Sequence, residues 1–144
     1  MRLYDPVDTL AAPALLTPWS ATHAALGVLL VSVGMYLSDN RAAVFTVAFA
    51  LHALYELKDY LGSYGSEAMQ HFSHAFYRAV GVPDDRADLL ENSALNCVGD
   101  ILCFAVGEAA ALYVITKQPT AKKWLVALSG LVLLWFYTAG MQYD

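Results

Sequence analysis

Four stretches of this chain, at about 18–37, 42–61, 93–115 and 124–141, stay mainly apolar over about 20 residues, the length an α-helix needs to cross bilayer hydrocarbon. A strand does not use runs of that length, and the four together take up more than half of a 144-residue chain. The expected fold class is all-α: one domain over 1–144, a membrane bundle of four transmembrane helices. Composition agrees. Apolar residues make up 58% of the chain and charged residues 15%, against about 45–50% and about 25% in soluble domains. That is too little charge to cover a small water-facing surface, so lipid is the expected surroundings.

Turn chemistry separates the stretches. Ser38-Asp39-Asn40 closes the first, with Asp39 or Asn40 placed to cap the second. Gly62-Ser63-Tyr64-Gly65 ends the second, and Lys117-Gln118-Pro119-Thr120 parts the third from the fourth because Pro119 cannot continue a helix interior. Trp124, Trp135, Tyr137 and Tyr143 sit near ends where aromatic rings favour the membrane–water interface. In the connection of about 66–88, Met69, Phe72, Phe76 and Val80 recur at helical spacing behind Ser66, a candidate cap. This pattern predicts an amphipathic helix at about 66–80, lying on the membrane surface and ended by Val82-Pro83-Asp84-Asp85.

Orientation follows from Lys and Arg in short loops. Arg41 and the Lys117, Lys122, Lys123 group share one side, expected to be cytoplasmic, with both termini and the middle connection on the other. Arg78 and Arg86 work against that asymmetry. The first residues, with Asp5 and Asp8, lack the basic start and cleavage pattern of a signal peptide, so insertion is expected to rely on the first span. A net charge of −5 offers no basic patch, which excludes nucleic acid as a partner. Cys97 and Cys103, six apart on one helix, cannot reach disulfide geometry and read as small packing residues.

The informative residues are polar ones inside the second and third spans. His52, Glu56 and Asp59 share one helical face, as do Asn92, Asn96 and Asp100. Gly99, Cys103 and Gly107 lie along almost the same face of the third span, where small residues admit a close neighbour. The expectation is that the two polar rows meet, since an unpaired charge in hydrocarbon costs about 2.5 kcal/mol or more. Glu56, Asp59, Asn96 and Asp100 form the candidate catalytic or binding site. A purely structural account, with helix-end residues and interhelical hydrogen bonds, fits the same positions. Glu108 lies deeper, off the main stripe, with His23 or Gln142 as candidate partners. A metal reading takes His52 and Glu56, one turn apart, with His71 and His74 added from the amphipathic helix. The sequence specifies no cofactor: it has no phosphate loop, nucleophile elbow or cysteine pair at metal spacing. Lys58 is expected to point away from the polar face.

A glutamate late in the second span followed by Asn-x-x-Gly in the third resembles the VanZ-like membrane proteins. Glu56 matches the second-span acid, Asn96 the amide and Gly99 the glycine. Asn92 stands where that family has an acidic residue, and Asp59 replaces a usual glutamine. The resemblance covers spans two and three and implies an association with cell-envelope lipids or glycopeptide resistance.

Three functions fit these residues. The first is binding or modifying a lipid headgroup at the polar site, with membrane lipids as partners. The second is a proton or cation pathway using Asp100, Glu56 and His52. The third is a non-catalytic subunit, docking on a membrane-protein partner or a second copy through Gly99, Cys103 and Gly107.

Overall fold

A computed structural model describes residues 2–6, 8–79 and 92–140. Among them the chain is mostly helical, with five α-helices: α1 (Ser20–Leu37), α2 (Arg41–Tyr64), α3 (Glu67–Ala79), α4 (Ala94–Lys117) and α5 (Lys122–Gly140). The all-α helical bundle expected from the sequence is present. Two short strands, β1 (Arg2–Tyr4) and β2 (Ala14–Leu16), precede it and pair in parallel, Arg2 with Ala14 and Tyr4 with Leu16. Nothing in the periodicity of the first residues announces that pair. Val80, Val82-Pro83-Asp84-Asp85, Arg86, Gln142 and Tyr143 lie outside the described residues.

Local chemistry sets the helix limits. The Ser38 N–H closes α1 on the Gly34 carbonyl at 2.9 Å. Asn40, rather than Asp39, caps α2: its Oδ1 accepts from the Ala43 N–H at 3.1 Å. The Ser93 hydroxyl caps α4 by accepting from the Asn96 N–H at 3.1 Å. Pro119 opens a single 3₁₀ turn (Pro119–Ala121) that leads into α5, two residues earlier than its apolar stretch begins.

The chain packs as two compact units, each assembled from separate stretches. One comprises Met1–Thr17 with Ala53–Gly99, the other Pro18–His52 with Asp100–Asp144, so α2 and α4 each contribute one part to either unit. In the first unit Asp8 ties the amino-terminal segment to the start of α4, accepting from the Ser93 N–H at 2.7 Å and the Ser93 hydroxyl at 2.8 Å. Here Gly99 admits the chain at Leu15, whose carbonyl a Cβ would strike. Helix α3 packs inward through its polar side. Ser73 is buried at Gly62 of α2, whereas Met69, Phe72 and Phe76 are exposed.

In the second unit α1 and α4 cross at two glycines. A Cβ on Gly27 would collide with the Phe104 carbonyl, and one on Gly107 with the Ala24 carbonyl, so only glycine permits this separation. Val31 and Met35 of α1, Val44 of α2, and Ala111 and Ile115 of α4 form the core, with Leu125 of α5 beside it. By length and composition, α1 and α4 are the two helices among the described residues able to cross a membrane. The other long stretches carry charge: His52, Glu56, Lys58 and Asp59 interrupt α2, and Lys122 and Lys123 open α5.

Helix α4 turns an apolar face outward and its ionisable residues inward. Along α4, Asn96, Asp100, Phe104, Glu108, Ala111 and Ile115 are buried at helical spacing. Val98, Leu102, Val106 and Tyr113 face outward, Leu102 at 55% and Val106 at 67% exposure. A water-soluble helix has the reverse pattern.

Candidate functional site: a buried row of titratable side chains

The second unit brings Ser20 and His23 of α1, His52 of α2 and Asp100 of α4 together. Asp100 is 2% exposed and both its oxygens are engaged. The Ser20 hydroxyl donates to Oδ1 at 2.6 Å, and His23 Nε2 stands 3.5 Å from Oδ2. The other ring nitrogen of His23, Nδ1, faces His52 Nε2 at 3.3 Å. His23 thus bridges a carboxylate and a second imidazole with its two nitrogens. The His52 ring lies nearly parallel on Phe104, centroids 4.0 Å apart and planes 13° apart, which fixes its orientation.

The arrangement follows from helix spacing. Ser20 and His23 are three apart and so share a face of α1 one turn before Gly27. The close crossing at Gly27 and Gly107 brings that face against α4. In a neutral imidazole one ring nitrogen donates and the other accepts. A proton delivered to one nitrogen of His23 therefore allows release from the other.

The candidate residues expected from the sequence divide between the units. Asp100 and His52 belong to the row just described. Glu56, one turn beyond His52 on the same helix and 1% exposed, belongs to the first unit with Asp59 and Asn96. Asn96 donates from Nδ2 to the Leu15 carbonyl at 3.4 Å. The Tyr77 hydroxyl donates to Asp59, whose carboxylate also holds the Lys58 ammonium. Lys58, expected to turn away from the polar face, instead lies against Asp59 with its Nζ 3.8 Å from the centre of the Tyr77 ring, 4.3 Å from Tyr55 and 4.5 Å from Phe76. That aromatic enclosure is a better site for an ammonium than apolar surface.

The other candidate metal donors also sit in the first unit. His71 is exposed and faces Glu67 of its own helix at 3.9 Å, and His74 is half-buried on α3. Gly99 and Gly107 are taken up inside the chain, against Leu15 and Ala24. His23, considered in the sequence as a partner for Glu108, pairs with Asp100 and His52 instead. Ser20 gives no signal in the sequence. A serine at the start of an apolar helix is common, and its partner lies 80 residues away.

No protein-family model, curated protein or solved structure matches this chain.

Proposed function

We propose that this chain crosses a membrane with four helices, α1, α2, α4 and α5, and relays protons along Asp100, His23 and His52. The observation that carries this reading is a row of three titratable side chains, Asp100 to His23 at 3.5 Å and His23 to His52 at 3.3 Å, with Asp100 and His52 buried and His23 half-buried in helices whose outward faces are apolar. Ionisable groups inside a membrane bundle are costly and mark proton or ion paths. Support for the lipid surroundings comes from the inverted surface. Leu51, Leu54, Leu102, Val106, Leu128, Leu131 and Trp135 face out, while Ser20, His52, Asp100 and Glu108 face in. Exposed apolar surface this extensive needs cover. Helix α3, with Met69, Phe72 and Phe76 turned outward, suits the membrane surface.

The relay is favoured over a headgroup site for a specific reason. A headgroup site at Glu56, Asp59, Asn96 and Asp100 needs free polar atoms, yet Asp59 is held by Tyr77 and Lys58, and Asn96 by the Leu15 carbonyl. Asn96 and Gly99, which with Glu56 carry the VanZ-like resemblance, sit against the Leu15 carbonyl instead. In the relay, Asp100 orients His23 and stabilises its protonated form. His23 exchanges the proton with His52, and Ser20 keeps Asp100 in place.

The test is proton flux. Purified protein in liposomes should collapse an imposed pH gradient, and Asp100→Asn and His23→Gln should both abolish that collapse while leaving reconstitution intact. A wild-type record as flat as that of empty liposomes ends the reading.

A further inference from the structure

We propose that Glu108 is a second proton-binding site, exchanging protons with the Asp100–His23–His52 row past the ring of Phe104. The inference rests on the relay for its exchange partner, whereas the protonation of Glu108 stands on its own geometry.

Glu108 is 0% exposed, and neither of its carboxylate oxygens has a hydrogen-bond partner among the described residues. The hydroxyl of Ser32, fully buried on α1, is in the same state. A charged carboxylate there would need a cation, and the cations of this unit are engaged elsewhere. Lys122 donates to the Met35 carbonyl at 3.0 Å and lies over Tyr36. Lys117 lies over Tyr113, Lys123 over Trp124, and Arg41 is exposed at the start of α2. His23 and His52 face Asp100 and each other. The remaining titratable groups on these helices, Cys103 and Tyr137, supply no cation. A metal ion would require several converging ligands, and among the described residues no three His, Cys, Asp or Glu donors that include Glu108 converge. The group that a buried, unpartnered carboxylate accommodates is a proton, which removes the charge.

Its position explains what the proton is for. Asp100, Phe104 and Glu108 are each four apart and all buried, one stripe on α4. At 1.5 Å of rise per residue Glu108 lies about 12 Å along the axis from Asp100, beyond direct transfer, with Phe104 between. Helix α1 closes this level tightly. A Cβ at Gly27 would meet the Phe104 carbonyl, and would stand 3.1 Å from the Glu108 amide nitrogen. The backbones are in close contact here, and the side chain between the two levels is the Phe104 ring, stacked on His52. When the ring swings, water can bridge the gap. The His52 imidazolium then gives up its proton and the Glu108 carboxylate takes it up, with no electron transferred.

The experiment uses the full chain in liposomes, with glutamate ¹³C-labelled, and two readouts. Infrared difference spectra should contain the carbonyl band of a carboxylic acid without hydrogen bonds, shifted by the label and missing in Glu108→Gln. Proton flux should fall to background in Glu108→Gln and return in part in Glu108→Asp, whose acid band no longer shifts with the glutamate label. Glu108→Gln with wild-type flux, or with the labelled band intact, overturns the proposal. If the wild type carries no flux, the relay has failed and the band alone decides: its loss in Glu108→Gln supports a protonated Glu108, its persistence refutes one. Should Glu108→Gln fail to reconstitute, the loss or persistence of the labelled band in Glu108→Asp gives the same decision.

Discussion

Two buried polar regions of this chain, one in each compact unit, are built from similar residues and behave as opposites. In the first unit Asp59 holds a lysine and a phenol, Asp8 holds Ser93, and Asn96 holds a backbone carbonyl. No partner there offers a second nitrogen that can accept as the first donates, so these contacts are fixed links between segments. In the second unit Asp100 holds His23, and His23 faces His52. An imidazole has two ring nitrogens, one able to accept a proton while the other donates, so the same kind of contact can pass a proton. What separates a structural link from the proposed relay is the partner's second ring nitrogen, since burial and hydrogen bonding are common to both.

The largest expected effect breaks the relay side. Asp100→Asn keeps an acceptor for Ser20 but removes the charge that favours protonated His23. Flux in liposomes should fall on the order of 10²-fold, the lower range of what a positioned acid or base contributes. Asp59→Asn should leave flux unchanged. Stability reverses the order. Asp59→Ala strands the Lys58 ammonium, whose side chain is only 10% exposed, and should cost about 3–5 kcal/mol in a detergent unfolding titration.

The helical content of this fold was legible because apolar length and turn residues such as Asn40, Ser93 and Pro119 act locally. The β1–β2 pair was not legible, since three-residue strands leave no period to read. Asp100 and His52 stand out as polar residues on apolar helices. Their facing each other through α1 does not, because helical period gives the face of each helix but not which neighbour it meets. His23 stands among a few small polar residues on a helix rich in Ala, Leu and Val, and its role appears only where Gly27 and Gly107 bring the helices together. Lys58 was misread for a related reason: the aromatic rings that enclose it include two from α3, a separate element.

Smaller effects sharpen the contrast. Ser20→Ala removes a charge-assisted hydrogen bond and should cost about 1.5–3 kcal/mol of stability, with a partial loss of flux as Asp100 loosens. The least effect is expected at alkaline pH. Burial, and after it the Asp59 carboxylate, hold the Tyr77 phenol protonated above its ordinary value of 10.0. The folded state therefore keeps a proton that the unfolded chain releases. This contribution is fully present below about pH 10 and is lost as pH rises beyond it. Tyr77→Phe should flatten that alkaline decline in an unfolding series across pH and leave flux alone.

The central claim is that one proton is shared along Asp100, His23 and His52. Nitrogen-15 spectra of the two imidazoles, recorded in lipid as pH is varied across about 5–8, test it most directly. Coupled titration of His23 and His52, altered at both rings by Asp100→Asn, is the expected result. Two imidazoles that titrate independently, or that hold fixed tautomers indifferent to Asp100, would contradict it.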